Sequence, residues 1–258
     1  MDNTAVKATL LEIPGNTPHV IYGTHYAARN DKGCKRLIIN IHGLTESQWG
    51  YLQLNSVTPF TDAGYDVFNF SFYDRLPKSR RLSTSTLSTH QDDLMHVINH
   101  FKAEYDSLYL TAHSLGGLVS LILNPKDIKA ISFWDPAFDV THFWNVAQCL
   151  TPLKEKDAYI LDYGAEYVIG RAMVEEITHY PNAACLALAE TFSTPAQLII
   201  PEQSIFMASP HTSPAEYERK FTNGAELITI NQTDHCFYGT GKDLALFKNT
   251  LNWFNRFS

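Results

Sequence analysis

The feature that most constrains the fold is a predicted strand, a tight turn and a predicted helix in the middle of the chain. Residues 107–111 alternate polar and apolar side chains of β-favouring types, and residues 115–123 form an apolar run of helical length. The turn between them carries Ser114, with the small residues Ala112 and Gly116 two positions to either side. A serine so placed lies at a helix N-terminus, where amide N–H groups favour an anion. The alternative is a serine that only caps a core helix.

The rest of the chain alternates predicted strands with predicted helices. Leu94, Val97, Ile98 and Phe101 fall at helical spacing, which predicts one buried face on a helix over residues 86–105. Strand–helix–strand alternation requires right-handed crossovers and a parallel sheet. The remaining segments are an antiparallel hairpin over 5–12 and 18–27, strands over 36–42, 65–71, 128–135, 195–200 and 225–230, and a last helix from Lys242.

Residues 139–193 interrupt this alternation. Two short apolar segments, 158–161 and 166–169, flank a turn that contains Gly164, which predicts a hairpin. Helix-like stretches follow from Arg171 and from Asn182. The length of 258 residues therefore suits a single α/β domain that carries an insertion.

Composition excludes several classes of function. A net charge of -7 argues against nucleic acid as a partner. No apolar run approaches the length of a membrane span, and the first residues lack the basic and apolar pattern of a signal peptide. The four cysteines are scattered without metal-ligand spacing and are expected to be reduced thiols: Cys34, Cys149, Cys185 and Cys236. Cys236 does not lie on a tight strand-to-helix turn like that of Ser114, and it is not expected to be a nucleophile.

Three motifs resemble those of the α/β-hydrolase family. The segment AHSLGG at residues 112–117 resembles the nucleophile elbow of bacterial lipases and esterases, with alanine in place of the first glycine of G-x-S-x-G. His42 and Gly43, which follow the third predicted strand, resemble the start of the family's oxyanion loop. The segment TDHCF at residues 233–237 is similar to the one that carries the family's histidine.

The resemblance implies the α/β-hydrolase fold. This fold has a mostly parallel central sheet flanked by helices, here formed by residues 1–138 and 194–258. A cap-like insertion over residues 139–193 would lie between strands 6 and 7 of the sheet. Three aromatic residues at the start of that insertion either line an acyl pocket or belong to the core: Phe138, Phe143 and Trp144.

The resemblance also implies the catalytic groups. Ser114 would attack the substrate and His235 would accept its proton, as in a serine triad. The backbone N–H groups of Leu44 and Leu115 would stabilise the oxyanion. His113, which adjoins the serine, is expected to pack beneath the turn rather than to act as the base.

The sequence leaves the acid of the triad open. Family members mostly carry an aspartate after the seventh strand, and an ungapped reading puts Ser204 at that position. Asp135, in the segment WDPA, is similar to the LDPA segment in which pancreatic-type lipases hold their acid, and we expect it to serve here. Glu202, two positions before Ser204, is the other candidate. Asp234 directly precedes His235 and is not expected to fold back onto it.

Two further groups of side chains have alternative interpretations. The basic loop at residues 75–81, where the family usually carries D-x-R-G-H-G, is either a solvated surface loop or a site for a substrate carboxylate or phosphate. His90, His96 and His100 lack the carboxylate–histidine motif of a metal site. They are expected at surface or face-lining positions of the helix over 86–105.

The sequence therefore predicts a cytoplasmic serine hydrolase, carboxylesterase- or lipase-like, which cleaves a small-molecule carboxylic ester through an acyl-enzyme. It predicts no cofactor, no metal, no nucleic acid and no stable membrane insertion, and it leaves the acyl-chain length and oligomeric state open. A thioesterase or a carbon–carbon bond hydrolase would use the same triad. The alternative from another class is a ligand-binding protein on a hydrolase scaffold without turnover.

Overall fold

The computed structural model describes residues 5–29, 35–207 and 212–258. Its strands are β1 (Ala8–Pro14), β2 (Val20–Tyr26), β3 (Arg36–Ile41), β4 (Asp66–Ser71), β5 (Ser107–His113), β6 (Ala130–Trp134), β7 (Leu150–Leu153), β8 (Ala158–Asp162), β9 (Glu166–Gly170), β10 (Ala196–Gln203) and β11 (Ala225–Asp234). Its helices are α1 (Tyr51–Asp62), α2 (Leu87–Phe101), α3 (Leu115–Leu123), α4 (Val140–Ala147), α5 (Arg171–Ile177), α6 (Asn182–Thr191), α7 (Pro214–Lys220) and α8 (Lys242–Phe254).

Eight strands form the central sheet in the order β1-β2-β4-β3-β5-β6-β10-β11. Six neighbouring strands of this sheet run parallel: β4, β3, β5, β6, β10 and β11. Strands β1 and β2 form an antiparallel hairpin at one edge. Ligands of open parallel sheets bind beyond the carboxyl ends of the strands. The predicted parallel sheet and its antiparallel start are confirmed.

Helices cover both faces of this sheet. Successive side chains of a strand point to opposite faces, so Ile38 of β3 packs in one cluster with α1 and α8. Its neighbours Leu37 and Ile39 pack in the other cluster with α2 and α3. Helix α2 begins at a capping box formed by Thr86 and Thr89, and its four predicted core residues are all buried. It ends four residues before the predicted end of that segment.

The segment between β6 and β10 holds a second, three-stranded antiparallel sheet, β7-β8-β9. The predicted hairpin is confirmed as β8 and β9, while α4 and β7 were not predicted. Helices α5 and α6 pack against α2 and α3 and share the large core cluster. The division into a core and an insertion over residues 139–193 stays a prediction.

The basic loop at residues 75–81 is not uniformly solvated. Arg80 is buried, and its Nε donates to Oδ2 of the buried Asp93 at 2.9 Å. Arg81 donates to the backbone oxygen of Asp74 at 2.8 Å. The expectation of a solvated loop is therefore wrong for Arg80, whose charge serves an internal ion pair.

The expected surface or face-lining positions hold for two of the three histidines of α2. His96 is half-buried and His100 is exposed, but His90 is buried. Within the described residues no cluster of histidine, cysteine and carboxylate side chains suits a metal ion. Cys149, Cys185 and Cys236 are free thiols, and Cys34 lies outside the described residues. No helix of the described segments is long and apolar enough to cross a membrane.

Candidate active site

Ser114 lies on the sharp turn between β5 and α3. Its backbone has φ 53° and ψ -123°, a conformation that a residue with a side chain adopts only under strain. Two backbone hydrogen bonds connect this turn to the neighbouring chain after β6: Ser114 N–H donates to Trp134 O at 3.1 Å, and Ala137 N–H donates to Ser114 O at 2.9 Å. The turn is therefore sharp and strained, which is the backbone geometry expected for a serine between a strand and a helix.

The small residues of the elbow are required by close backbone contacts. A Cβ added to Gly116 would lie 2.7 Å from the carbonyl oxygen of His42 and 2.8 Å from a side-chain carbon of Ile41. Real Cβ atoms do not approach other atoms so closely. Ala112, which replaces the first glycine of the motif, is completely buried and fits at that position.

His235 follows β11 and lies beside a buried carboxylate. Its Nδ1 is 2.6 Å from Oδ2 of Asp135, which directly follows β6 and has no solvent exposure. An aspartate bound to Nδ1 fixes the tautomer of a histidine and leaves Nε2 to accept a proton. The sequence places these residues one hundred positions apart, and the parallel pairing of β6, β10 and β11 brings them together.

The other two carboxylates considered from the sequence do not bond to His235. Glu202 is exposed, and its Oε2 accepts a hydrogen bond from the backbone N–H of Gln232 at 2.7 Å. Asp234 caps its own turn, because its Oδ1 accepts from the N–H groups of Cys236 and Tyr238. Among the candidates, only Asp135 is in contact with the imidazole.

Ser204, at the position where an ungapped reading expects an aspartate, donates to the acid. Its Oγ lies 2.5 Å from Oδ1 of Asp135. The same oxygen accepts from the backbone N–H of Met207 at 2.8 Å, which orients the hydroxyl. Both oxygens of the Asp135 carboxylate thus have donors, one from Ser204 and one from His235. Sequence reasoning noted Ser204 only as a departure from the family pattern and missed this contact.

The two expected oxyanion donors lie at the ends of neighbouring strands. Leu44 follows β3 and Leu115 begins α3, and both line the same cavity as Ser114. In the described part of the chain neither N–H is engaged by another backbone or side-chain acceptor. A pair of free amides beside a serine can bind a negatively charged oxygen.

A cavity of about 620 Å³ joins these groups. Ser114 and His235 both line it, and no hydrogen bond between their side chains forms in the described structure. In active sites without substrate such hydrogen bonds are often long and tighten when substrate binds. The aromatic residues that line the cavity are Phe143, Tyr163, Tyr167, Phe206 and Tyr238.

Of the three aromatic residues predicted as pocket or core, one lines the cavity. Phe143 contacts Phe206, with ring centroids 5.0 Å apart, and Phe206 packs edge-on against His235. Phe138 is completely buried, and Trp144 is buried with its indole N–H donating to the hydroxyl of Tyr163 at 2.6 Å. Trp144 thus contacts a residue of the cavity wall, whereas Phe138 packs in the core against Phe133 and Tyr217.

Two charged residues also line the cavity next to the elbow. His113 is 2% exposed, and its Nδ1 lies 3.0 Å from Oε2 of Glu46. Burial opposes the ionisation of Glu46, but the attraction of His113 and a hydrogen bond from Gly43 lower its pKa to about 2. Burial alone would lower the pKa of His113, whereas Glu46 reverses the effect and raises it. Glu46 could not be predicted from the sequence, since a lone glutamate in a loop carries no pattern.

His42 fixes the start of the oxyanion loop. Its Nε2 accepts the backbone N–H of Phe72 at 3.0 Å, so its proton lies on Nδ1 and is donated to Gly43 O at 2.7 Å. Burial lowers the pKa of His42, which keeps the ring neutral. The motif of His42 and Gly43 thus has a physical reason: the imidazole holds the peptide group that precedes Leu44.

Cys236 lies in the cavity beside His235. Burial, followed by the charges of Glu46, Asp234 and Asp135, raises the pKa of its thiol to about 12. The thiolate is the nucleophilic form of cysteine, so this side chain is unreactive near neutral pH.

Comparison with solved structures identifies the architecture. Est1E from Butyrivibrio proteoclasticus with ferulic acid bound is 16% identical, with a TM-score of 0.77 and coverage of 96% of this chain and 98% of that chain. The esterase domain of a Rhodothermus marinus protein is 16% identical, with a TM-score of 0.72 and coverage of 97% and 99%. The Pyrococcus furiosus esterase Pf2001 is 16% identical, with a TM-score of 0.69 and coverage of 98% and 93%.

Comparisons of sequence give no match. No protein-family model matches the chain, and no curated protein does. What the chain shares with these solved structures is therefore its fold, over nearly its whole length.

Proposed function

Since the chain has the α/β-hydrolase fold, we propose that the protein is a serine hydrolase that cleaves carboxylic esters through an acyl-enzyme. The observation that carries this proposal is the 2.6 Å contact between His235 Nδ1 and the buried Asp135 carboxylate, in a cavity that Ser114 also lines. Three groups from the ends of three different strands have no structural need to meet there, whereas a triad requires it.

The proposed reaction has two steps. His235 takes the proton of the Ser114 hydroxyl while the serine oxygen bonds to the ester carbonyl carbon, and the N–H groups of Leu44 and Leu115 stabilise the oxyanion. The alcohol leaves with the proton from His235, and an acyl-enzyme remains. Water then attacks the acyl carbon, His235 again accepts and returns a proton, and the acid departs. Asp135 orients His235 and stabilises its charged form in both steps.

The walls of the cavity suggest the kind of ester. Its aromatic lining suits an aromatic or apolar group, and no lysine or arginine lines it within the described residues. The charge of Glu46 is paired with His113, and the carboxylate of Asp162, which also lines the cavity, disfavours an anionic substrate. Est1E, whose structure was solved with ferulic acid bound, supports an aromatic acyl group in a cavity of this fold. We therefore assign uncharged esters, with aromatic acyl groups among them, as substrates.

The proposal also gives the insertion a role. Phe143 of α4, Tyr163 after β8 and Tyr167 of β9 line the cavity opposite the ends of the main strands. We assign residues 139–193 as the cap over a core of residues 1–138 and 194–258, with α4 and β7–β9 as the part that contacts substrate.

The test is labelling with a fluorophosphonate, followed by turnover of p-nitrophenyl acetate, p-nitrophenyl octanoate and methyl ferulate. We expect labelling at Ser114, release of product, and loss of both in Ser114→Ala with an unchanged circular dichroism spectrum. Thioesters tested in parallel distinguish a thioesterase. A folded wild-type protein that is neither labelled nor active would refute the proposal and favour a ligand-binding protein.

A further inference from the structure

The triad and the oxyanion donors leave one charged pair beside them without a role. Glu46 lies two residues after Leu44, and His113 is the last residue of β5, directly before Ser114. The side chain of His113 is 2% exposed and that of Glu46 is 23% exposed. A charged pair so well shielded from water requires an explanation, because desolvation opposes it.

The hydrogen bonds of His113 determine its protonation state. Its Nδ1 is 3.0 Å from the carboxylate of Glu46, and its Nε2 is 3.0 Å from the backbone carbonyl oxygen of His235. An ionised carboxylate and a carbonyl oxygen can only accept. Both ring nitrogens must therefore carry a hydrogen, which makes His113 an imidazolium. The conclusion holds because Glu46 is ionised: His113 and the N–H of Gly43 lower its pKa to about 2 against the effect of burial. The pKa of His113, raised by Glu46 against the effect of burial, agrees with it.

Glu46 extends the same network into the oxyanion loop. Its Oε2 accepts the backbone N–H of Gly43 at 2.9 Å as well as the hydrogen from His113. The carbonyl oxygen of Gly43 is held at 2.7 Å by His42. Gly43 is thus fixed on both its N–H and its carbonyl, and Leu44, an expected oxyanion donor, is the next residue.

We propose that Glu46 and His113 form a carboxylate–imidazolium pair that positions both the oxyanion loop and the loop of the general base. Glu46 acts on the first loop through Gly43 N–H, and His113 acts on the second through the carbonyl oxygen of His235. Both are positioning residues, and their effect on rate rests on the proposed serine-hydrolase function.

Close packing around the pair requires glycine at position 43. A Cβ on Gly43 would lie 2.9 Å from Cβ of Ser114, 3.2 Å from the Glu46 carboxylate and 3.3 Å from Nδ1 of His113. The rings of His113 and His235 are in contact at a tilt, with centroids 4.7 Å apart and an interplanar angle of 30°. The charged and titratable groups that face the pair are Asp135, His42, His235, Cys236, Tyr73 and Tyr238.

The pair makes activity sensitive to alkaline pH. When His113 loses a proton, it can no longer donate to both partners, and either Gly43 or His235 loses its support. Because Glu46 raises the pKa of His113, the imidazolium persists above the ordinary range for histidine and is lost as pH rises through the raised value. We expect kcat to fall there, whereas KM changes little.

The variant Glu46→Gln keeps the shape of the side chain and removes its charge. Its amide oxygen can still accept from Gly43, but His113 loses its counter-ion and becomes neutral at lower pH. We expect kcat to drop about 10- to 100-fold near neutral pH, because small misplacements of catalytic groups cost that much. The alkaline fall in kcat should move to lower pH. Glu46→Asp keeps the charge and should retain more of the alkaline activity than Glu46→Gln does.

Nitrogen NMR of histidine-labelled protein tests the pair without reference to activity. At neutral pH the wild type should show both nitrogens of His113 protonated, and Glu46→Gln should show only one. Glu104→Gln, at an exposed glutamate three residues after the end of α2, is the matched control and should change neither spectrum nor pH profile. If the wild type neither reacts with fluorophosphonate nor turns over esters, the proposed function fails. The spectrum still shows whether Glu46 and His113 form a carboxylate–imidazolium pair.

Two results would overturn the inference. One is a singly protonated His113 in the wild type near neutral pH. The other is an active Glu46→Gln variant with the same kcat and the same alkaline profile as the wild type. If Glu46→Gln does not fold, the wild-type spectrum and the comparison of Glu46→Asp with the wild type decide the question.

Discussion

The substitution His90→Phe should make the protein less sensitive to acid. His90 is 1% exposed, and neither of its ring nitrogens makes a hydrogen bond within the described residues. Its ring stacks on Phe72, with centroids 4.2 Å apart and an interplanar angle of 13°. Phe72 in turn donates its N–H to His42 behind the oxyanion loop, so this stack supports the candidate site.

The size of the effect follows from the protonation of His90. Burial lowers its pKa well below the ordinary value, and unfavourable electrostatic interactions of the protonated ring with His42 and Arg80 lower it further. Above the unfolded pKa of about 6.5 the ring is neutral in both states and adds no pH dependence. Below that value only the unfolded chain binds the proton, so the free energy of unfolding falls by about 1.4 kcal/mol per pH unit. Between about pH 6.5 and pH 5 the loss is about 2 kcal/mol.

Urea unfolding followed by circular dichroism at several pH values measures this loss. Phenylalanine retains the ring that stacks on Phe72 and cannot take up a proton. The free energy of unfolding should therefore fall by about 2 kcal/mol less in His90→Phe than in the wild type over this range. His100→Phe, at an exposed position on the same helix, is the control and should keep the wild-type dependence. An equal loss in His90→Phe and in the wild type would refute the reasoning.

Three further predictions concern the candidate site. Asp135→Asn should lower kcat about 10⁴-fold, by analogy with the serine-protease triad, whereas Glu202→Gln should change kcat less than about 3-fold. Steady-state kinetics with a p-nitrophenyl ester compares the two variants. A larger loss in Glu202→Gln than in Asp135→Asn would assign the acid to Glu202. Ser204→Ala removes one donor from the buried Asp135 carboxylate and should lower kcat/KM about 10- to 100-fold. Ser204→Thr keeps a hydroxyl and should retain part of the wild-type kcat/KM. An unchanged kcat/KM in Ser204→Ala would show that the 2.5 Å contact has no role in the reaction. Iodoacetamide should leave Cys236 unmodified near neutral pH, as followed by mass spectrometry, since its pKa is raised to about 12; rapid alkylation would contradict this.

Much of the candidate site could be predicted because its parts are local in sequence. The elbow is encoded by a strand, a serine between small residues and an apolar helix, all within residues 107–123. Of the candidate groups, Ser114 and His235 directly follow the last residue of a parallel strand, and Leu44 lies three residues after one. Strand ends are visible in the periodicity of the chain, and parallel strands present these ends at one edge of a sheet.

Contacts between segments far apart in the chain could not be predicted from the sequence in this way. The sequence left Asp135 and Glu202 as alternatives for the acid, since both follow apolar strands. In the structure, β10 lies between β6 and β11, and the depth at which each strand ends brings Asp135 to His235 and leaves Glu202 exposed. The order of strands and the register between them decide such a contact, and neither can be predicted from a short segment of sequence.

The sequence by itself determined the class of fold, the position of the sharp turn at Ser114 and the candidate residues for acyl transfer, because these depend on local propensity and on spacing. Only the tertiary structure decided which charges meet: Ser204 against Asp135, Arg80 against Asp93, and Glu46 against His113. The physical reason is that a buried charge is stabilised by partners within about 3 Å, whichever part of the chain supplies them.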